Sequence, residues 1–162
     1  MRYASIRSFD VSNGAGCGFA LFVQGCHFHC KNCFNQSTWD FLGGKEFGSE
    51  AKKTLDVLAE NLHLTRFSIL GGEPLAPENI EEVKGLARKF FNRKQIWLYT
   101  GYTYENIPDR EILNYVDILV DGQYRDELRD LSLDFRGSSN QRVIDVKKSL
   151  ASNEVVLWNV HI

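Results

Sequence analysis

The chain has 162 residues, 43% of them hydrophobic and 25% charged, with a net charge of −2. These values fit one soluble globular domain with a proper core and exclude a large non-specific attraction to nucleic acid. No apolar run approaches the roughly 18 residues that span a bilayer. Residues Met1 to Arg7 lack the apolar core of a signal peptide, so neither a membrane nor a nucleic-acid partner is expected. The default location is cytoplasmic, where cysteines serve metals or catalysis more often than disulfides.

Taken in order, residues 1–16 end in Asn13-Gly14-Ala15-Gly16, a turn that lets the backbone approach something closely. Cys17 to Gly25 is short, apolar and rich in β-formers, which predicts a buried strand with Cys17 as a small core residue. Ser37 to Gly44 reads as a connection anchored by aromatic residues. Ser49 is placed to cap a helix running to about Asn61, with Leu55, Leu58 and Leu62 on one face. A second strand is expected at Arg66–Leu70, ending in Gly71-Gly72-Glu73-Pro74. Pro77 suits the first turn of the next helix, whose core face is Ile80, Val83, Leu86, Ala87 and Phe90. Further strands are expected at Gln95–Thr100 and Asp117–Val120, with a short helix at Arg110–Tyr115 between them. A polar turn at Arg136–Gln141 precedes two possible strands, Arg142–Val146 and Glu154–Trp158.

Strands alternating with helices predict a mostly parallel α/β sheet with right-handed crossovers. A full eight-unit barrel needs about 200 residues or more. The expected fold is therefore a single domain over 1–162 built as an open, partial (β/α) barrel. Ligand sites in such sheets gather at the carboxyl ends of the strands. Both Cys26 and the Gly71–Pro74 turn fall at such an end.

Three of the four cysteines lie on one short stretch, as Cys26-x3-Cys30-x2-Cys33. Thiolates are the usual ligands of iron–sulfur clusters, which normally take four. Three at this spacing can hold three irons of a cubane and leave the fourth open to an exogenous ligand. The competing reading is a closed zinc site with His27 or His29 as fourth ligand, and spacing alone leaves both standing. The Gly71-Gly72 pair would leave main-chain N–H and C=O groups open to a bound group, with Glu73 contributing directly or ordering the turn.

With Cys33-Phe34 and the following Gly71-Gly72-Glu73-Pro74, the cysteine motif resembles that of the radical S-adenosylmethionine enzymes. Several further motifs recur in order: Val11–Gly16, Phe22–Cys26, Asn35–Trp39, Trp97-x-Tyr99-Thr100-Gly101-Tyr102, Val120-Asp121-Gly122 and Arg136–Gln141. Together they resemble the activating proteins of the anaerobic (class III) ribonucleotide reductases over nearly the whole chain. Ala15 departs from the proline common there, at a small cost in loop rigidity.

The resemblance implies a [4Fe-4S] cluster held by Cys26, Cys30 and Cys33, with S-adenosylmethionine chelating the open iron. It places Asn32, Cys33, Phe34 and Gly72 against that cofactor and assigns no acid–base pair. It implies a glycyl radical made on the large subunit of the reductase, with electrons from a flavodoxin-like reductant. Asp121 is either a cofactor contact or a cap. Tyr99 and Tyr102 are core packing or stack near adenine, and Arg136–Asn140 is a plain turn or a grip on the partner loop. Rival functions are an activase for another glycyl radical enzyme, a small radical enzyme acting on a pterin or deazapurine precursor, an iron–sulfur electron carrier, and a zinc-stapled binding module.

Overall fold

A computed structural model describes residues 1–159. Its strands are β1 (Arg2–Asp10), β2 (Gly18–Val23), β3 (Lys45–Glu46), β4 (Arg66–Gly71), β5 (Gln95–Tyr99), β6 (Ile118–Asp121) and β7 (Arg142–Asp145). The α-helices are α1 (Ser49–Glu60), α2 (Ile80–Phe90) and α3 (Val146–Ser152), and a 3₁₀ segment spans Arg110–Tyr115. The strands form one open sheet in the order β3-β1-β2-β4-β5-β6-β7. Its centre, β2-β4-β5-β6, is parallel, whereas β1 pairs antiparallel with β2 and β3, and β7 pairs antiparallel with β6. The class is mixed α/β as expected, with antiparallel edges that the sequence pattern did not announce.

The two faces of the sheet are covered differently. On one, Leu21, Ile69, Leu98 and Leu119 stand in register across the four parallel strands and are fully buried. Against them pack Ala51, Leu55 and Ala59 of α1, Val83, Leu86, Ala87 and Phe90 of α2, and Ile112 and Leu113. Phe19 stacks on Phe67 at 4.8 Å, and Phe90 meets Phe67 edge-on at 5.4 Å. Each buried side chain of this size contributes about 1.5–3 kcal/mol over its exposed state. This face holds the principal core.

The opposite face carries Phe22, Leu70, Tyr99 and Val120, in clusters to which no helix contributes. One end of it is closed by Trp97, which meets Phe135 and Trp158 edge-on, each at 5.1 Å. The loop after β1 folds over the same end and is sewn down by Arg66, whose side chain is completely buried. Its guanidinium donates to the carbonyls of Asp10 (2.6 Å), Asn13 (3.1 Å) and Ala15 (3.1 Å), and pairs with the Asp10 carboxylate at 3.0 Å. A buried charge is tolerated only when paired and hydrogen-bonded in this way. Gly14 makes the contact possible: its φ is +144°, and a Cβ there would lie 2.4 Å from Arg66 Cδ. The close approach expected of the Asn13–Gly16 turn is thus to a buried arginine.

Several expectations are corrected. Residues 2–10 form the nine-residue strand β1, which has no clean alternation to signal it. Helix α1 is preceded by Gly48 and lacks a side-chain cap, so Ser49 is its first residue and not its cap. Leu62 lies beyond the helix and is 87% exposed. Pro77 precedes α2 by a turn, and Asn79 occupies the cap position. Cys17 sits one residue before β2 and is exposed, not a core residue. The Glu154–Trp158 strand reduces to a single bridge, Leu157 to Ile144, and residues 146–152 ahead of it are helical. Asp145 caps that helix by accepting from Lys148 N at 3.0 Å.

Candidate functional site

The cavity lies on the face that the helices leave uncovered. Phe22, Leu70, Tyr99 and Val120 line it from the sheet, and the segments after β2, β4, β5 and β6 form its rim. Its volume is about 440 Å³. Cys26, Cys30 and Cys33 all line it, partly buried and free of any disulfide. Strand β2 delivers the chain to Gly25, and the return segment is tied back by Gly25 N to Thr38 O (2.7 Å) and Cys26 N to Trp39 O (3.1 Å). His29 and Asn32 take left-handed conformations at φ 49° and 55°, which curls the loop between the cysteines. Burial pushes the Cys26 and Cys30 thiols up, and the neighbouring thiols add to it.

Neither histidine turns to the cysteines. His27 Nε2 faces the Glu78 carboxylate at 3.0 Å, and its ring lies 4.4 Å from that of Phe41. His29 stacks on Trp39 at 4.5 Å with an interplanar angle of 11°. Among the described residues no three His, Cys, Asp or Glu side chains converge closely enough to hold one metal ion.

The glycine turn sits directly beside the cysteine loop. Gly72 N donates to Val23 O at 2.9 Å and Glu73 N to Gly25 O at 2.7 Å, so the two segments are laced together by backbone. A Cβ on Gly72 would stand 2.4 Å from Gly25 O. The Gly72 N–H is therefore taken, contrary to the expectation that it stays open. The Gly72 carbonyl accepts no hydrogen bond among the described residues.

Glu73 is buried and orders the rim. Its Oε1 accepts from Leu75 N (2.8 Å) and Thr100 Oγ1 (2.7 Å), and its Oε2 from Gly101 N (2.7 Å). Burial raises its carboxyl to about 7, and those three donors moderate the rise. The carboxylate thus joins the end of β4 to the end of β5.

The remaining expected residues fall into two groups. Phe34 lines the cavity mouth at 56% exposure, 5.0 Å from Tyr124, with Arg129 over its ring. Asn32 points elsewhere: its amide donates to Asp126 at 2.8 Å, tying the cysteine loop to the segment after β6. Asp121 is buried and anchors structure, accepting from Tyr104 N at 2.7 Å and from Arg142 at 2.6 Å. Tyr102 packs edge-on against Phe28 at 5.0 Å. The Arg136–Gln141 turn staples itself through Gln141 Oε1, which accepts from Gly137 N (2.9 Å) and Ser138 N (3.2 Å), while Arg136, Gly137 and Gln141 also line the cavity.

The chain from Ser12 to Ile144 matches the family model described as a 4Fe-4S single cluster domain. It is similar to the anaerobic ribonucleoside-triphosphate reductase-activating protein of Enterobacteria phage T4, 40% identical over 146 residues, with 88% of this chain and 93% of that one covered. The protein of that name from Vibrio cholerae is 37% identical over 148 residues, covering 87% and 96%. That of Escherichia coli K12 is 35% identical over 153, covering 88% and 97%. The chain belongs to this family of reductase-activating proteins.

The 4Fe-4S match begins within the Asp10–Gly16 lip and ends in β7, so it takes in every residue that lines the cavity except Arg7. The sequence marks Asn13–Gly16 as a close-approach turn but does not place it at the cavity. Arg7, Ser12 and Asn13 line the cavity, and the buried Asp10–Arg66 pair holds them there. Burial raises the Asp10 carboxyl, but hydrogen bonds from Asn13, Arg66 and Arg7 outweigh it and hold the group below the usual range. The available signal was Arg66 itself, a charge opening an otherwise apolar strand.

Proposed function

We propose that the chain is a glycyl-radical activase acting on the large subunit of the anaerobic ribonucleotide reductase. One observation carries the reading: three free thiols and a backbone-laced glycine turn line the same cavity, on the open face of a parallel sheet. Family membership supports both the 4Fe-4S cluster and the partner. In this reading the domain is a radical S-adenosylmethionine domain, and the open sheet with its helix-free cavity face is compatible with a partial barrel.

Cys26, Cys30 and Cys33 hold the cluster through three thiolates, and since burial favours the thiol form, loading releases protons. Such a cluster, with S-adenosylmethionine bound, would supply one-electron reductive cleavage of the sulfonium and so the means to remove a hydrogen from the partner's glycine. The Gly72 carbonyl would accept from the ammonium group of that cofactor, and Cys33 and Phe34, which line the same cavity next to Asn32, would close its other side. Glu73 keeps the glycine turn and the Thr100–Gly101 turn in register. No acid–base pair is needed, because the hard chemistry belongs to cluster and sulfonium. The reductant is a flavodoxin-like donor, and the site of action is the cytoplasm, without nucleic acid or membrane; no helix among the described residues is long and apolar enough to cross one.

The test is anaerobic reconstitution with iron and sulfide, then dithionite and S-adenosylmethionine. Release of 5′-deoxyadenosine is expected, and added reductase should show a glycyl doublet by electron paramagnetic resonance. A reconstituted protein that yields no 5′-deoxyadenosine would sink the reading.

A further inference from the structure

The cysteine loop is attached to the fold in two ways. At its start Cys26 is fixed by main chain, through Cys26 N to Trp39 O and the neighbouring Glu73 N to Gly25 O. From His27 to Phe34 the one main-chain-to-main-chain hydrogen bond among the described residues is local, Cys33 N to Cys30 O at 3.1 Å. A loop with so few main-chain partners opens easily unless its side chains hold it.

The segment after β6 supplies that hold. Asp126 Oδ2 accepts from the Asn32 amide at 2.8 Å, and its Oδ1 accepts from the Tyr124 hydroxyl at 3.0 Å. The Tyr124 ring packs on Phe34 at 5.0 Å, and Phe34 also abuts Gly137, where a Cβ would lie 2.7 Å from its ring. One carboxylate therefore ties both neighbours of Cys33: Asn32 directly and Phe34 through Tyr124. Beside it, the Cys30 thiol lies 3.8 Å from Gln123 Oε1. Asn32 stands in the left-handed region at φ 55°, and a residue other than glycine keeps that conformation only when its surroundings hold it. Asp126 is not among the residues that line the cavity, so it acts through the loop it grips.

We propose that Asp126 is a positioning residue for the cluster: by clamping Asn32 and, through Tyr124, Phe34, it holds Cys33 where its thiolate meets iron. This rests on the cluster assigned to the three cysteines above. It makes the segment after β6 part of what retains the cluster, although that segment contributes no ligand. Groups that orient a ligand govern metal retention nearly as strongly as the ligand itself.

The experiment compares wild type, Asp126→Ala and Asp126→Asn, all full length. Alanine removes the acceptor, whereas asparagine offers an oxygen to Asn32 and an N–H to the Tyr124 oxygen without the charge. After anaerobic reconstitution, iron release to a ferrous chelator is timed in the absence of S-adenosylmethionine. In the cluster-free proteins, trypsin cleavage after the exposed Lys31 reads the loop directly. Asp126→Ala should release iron about three- to tenfold faster than wild type, the range of one hydrogen bond, and cleavage after Lys31 should quicken by a similar factor. Asp126→Asn should restore both rates to within about twofold of wild type, and the urea midpoints of the three cluster-free proteins should agree. Wild-type iron release and cleavage in Asp126→Ala would overturn the proposal. So would an Asp126→Asn protein that loses iron as fast as Asp126→Ala, since charge and not the clamp would then be the cause. A urea midpoint that falls in Asp126→Ala by enough to explain the faster cleavage would overturn it too, because the residue would then support the whole fold. A wild-type protein that takes up no iron would sink the cluster reading instead, which keeps the two failures apart.

Discussion

The two faces of the sheet are built from the same strands and do opposite work. Leu21, Ile69, Leu98 and Leu119 point to α1 and α2 and are sealed in the principal core. One residue further along each strand, Phe22, Leu70, Tyr99 and Val120 point to the other side and floor the cavity. Because strand side chains alternate between faces, a single step in sequence separates stability from function. The cavity face still has to be held in shape without helices. It uses polar anchors instead: Arg66 with Asp10 under the lip, Glu73 between two strand ends, and Asp121 with Arg142.

Breaking the comparison on the cavity side should remove function and spare the fold. Cys30→Ala is expected to abolish iron incorporation, 5′-deoxyadenosine release and the glycyl signal, with unfolding free energy changed by less than about 1 kcal/mol, since Cys30 is only partly buried. Iron analysis, product assay and urea titration read these together. A large loss of stability would instead point to a structural staple.

The cavity-face anchors are the exception, and Arg66→Met tests it. Removing the guanidinium leaves the Asp10 carboxylate buried with weaker partners, at a cost of about 3–5 kcal/mol. Chemical denaturation should show this, and a stability within 1 kcal/mol of wild type would mean that the lip is not held by this pair. On the helix side, Leu55→Ala should cost about 2–5 kcal/mol. Its cluster content and activity per folded molecule at low temperature should match wild type. Altered cleavage chemistry in that variant would erase the division between the faces.

Glu73 sharpens the comparison through pH. Its folded carboxyl is raised to about 7 from an ordinary 4.5, so between those values the folded state holds a proton that the unfolded state has lost. By linkage, stability on account of this group is greatest below the unfolded value and falls as pH rises toward 7. At 1.36 kcal/mol per pH unit the loss is about 3 kcal/mol. Urea midpoints of the cluster-free protein at pH 5 and pH 8 should show a drop that Glu73→Gln abolishes. An equal drop in both proteins would remove Glu73 as its cause.

What the sequence determined by itself was local. The cysteine spacing, the glycine turn, the apolar runs of β2, β4, β5 and β6, and the apolar face of α2 can be read without a fold, because each is a short-range pattern with one physical cause. The strand ends that carry Cys26 and Gly72 were also legible, since parallel strands put their sites there. Tertiary structure alone decided the rest. Strand β1 has no clean alternation and becomes a strand only because β2 and β3 offer partners. The family resemblance places Asn32 against the cofactor, and the fold turns its amide, on a left-handed backbone, to Asp126, 94 positions away. Arg66 and Glu73 acquire their roles from partners set by packing, which no window of sequence contains. Hydrogen bonds across a fold depend on distances that chain order does not encode. The chemistry of this protein was written locally, and its positioning was settled by the packing of the sheet.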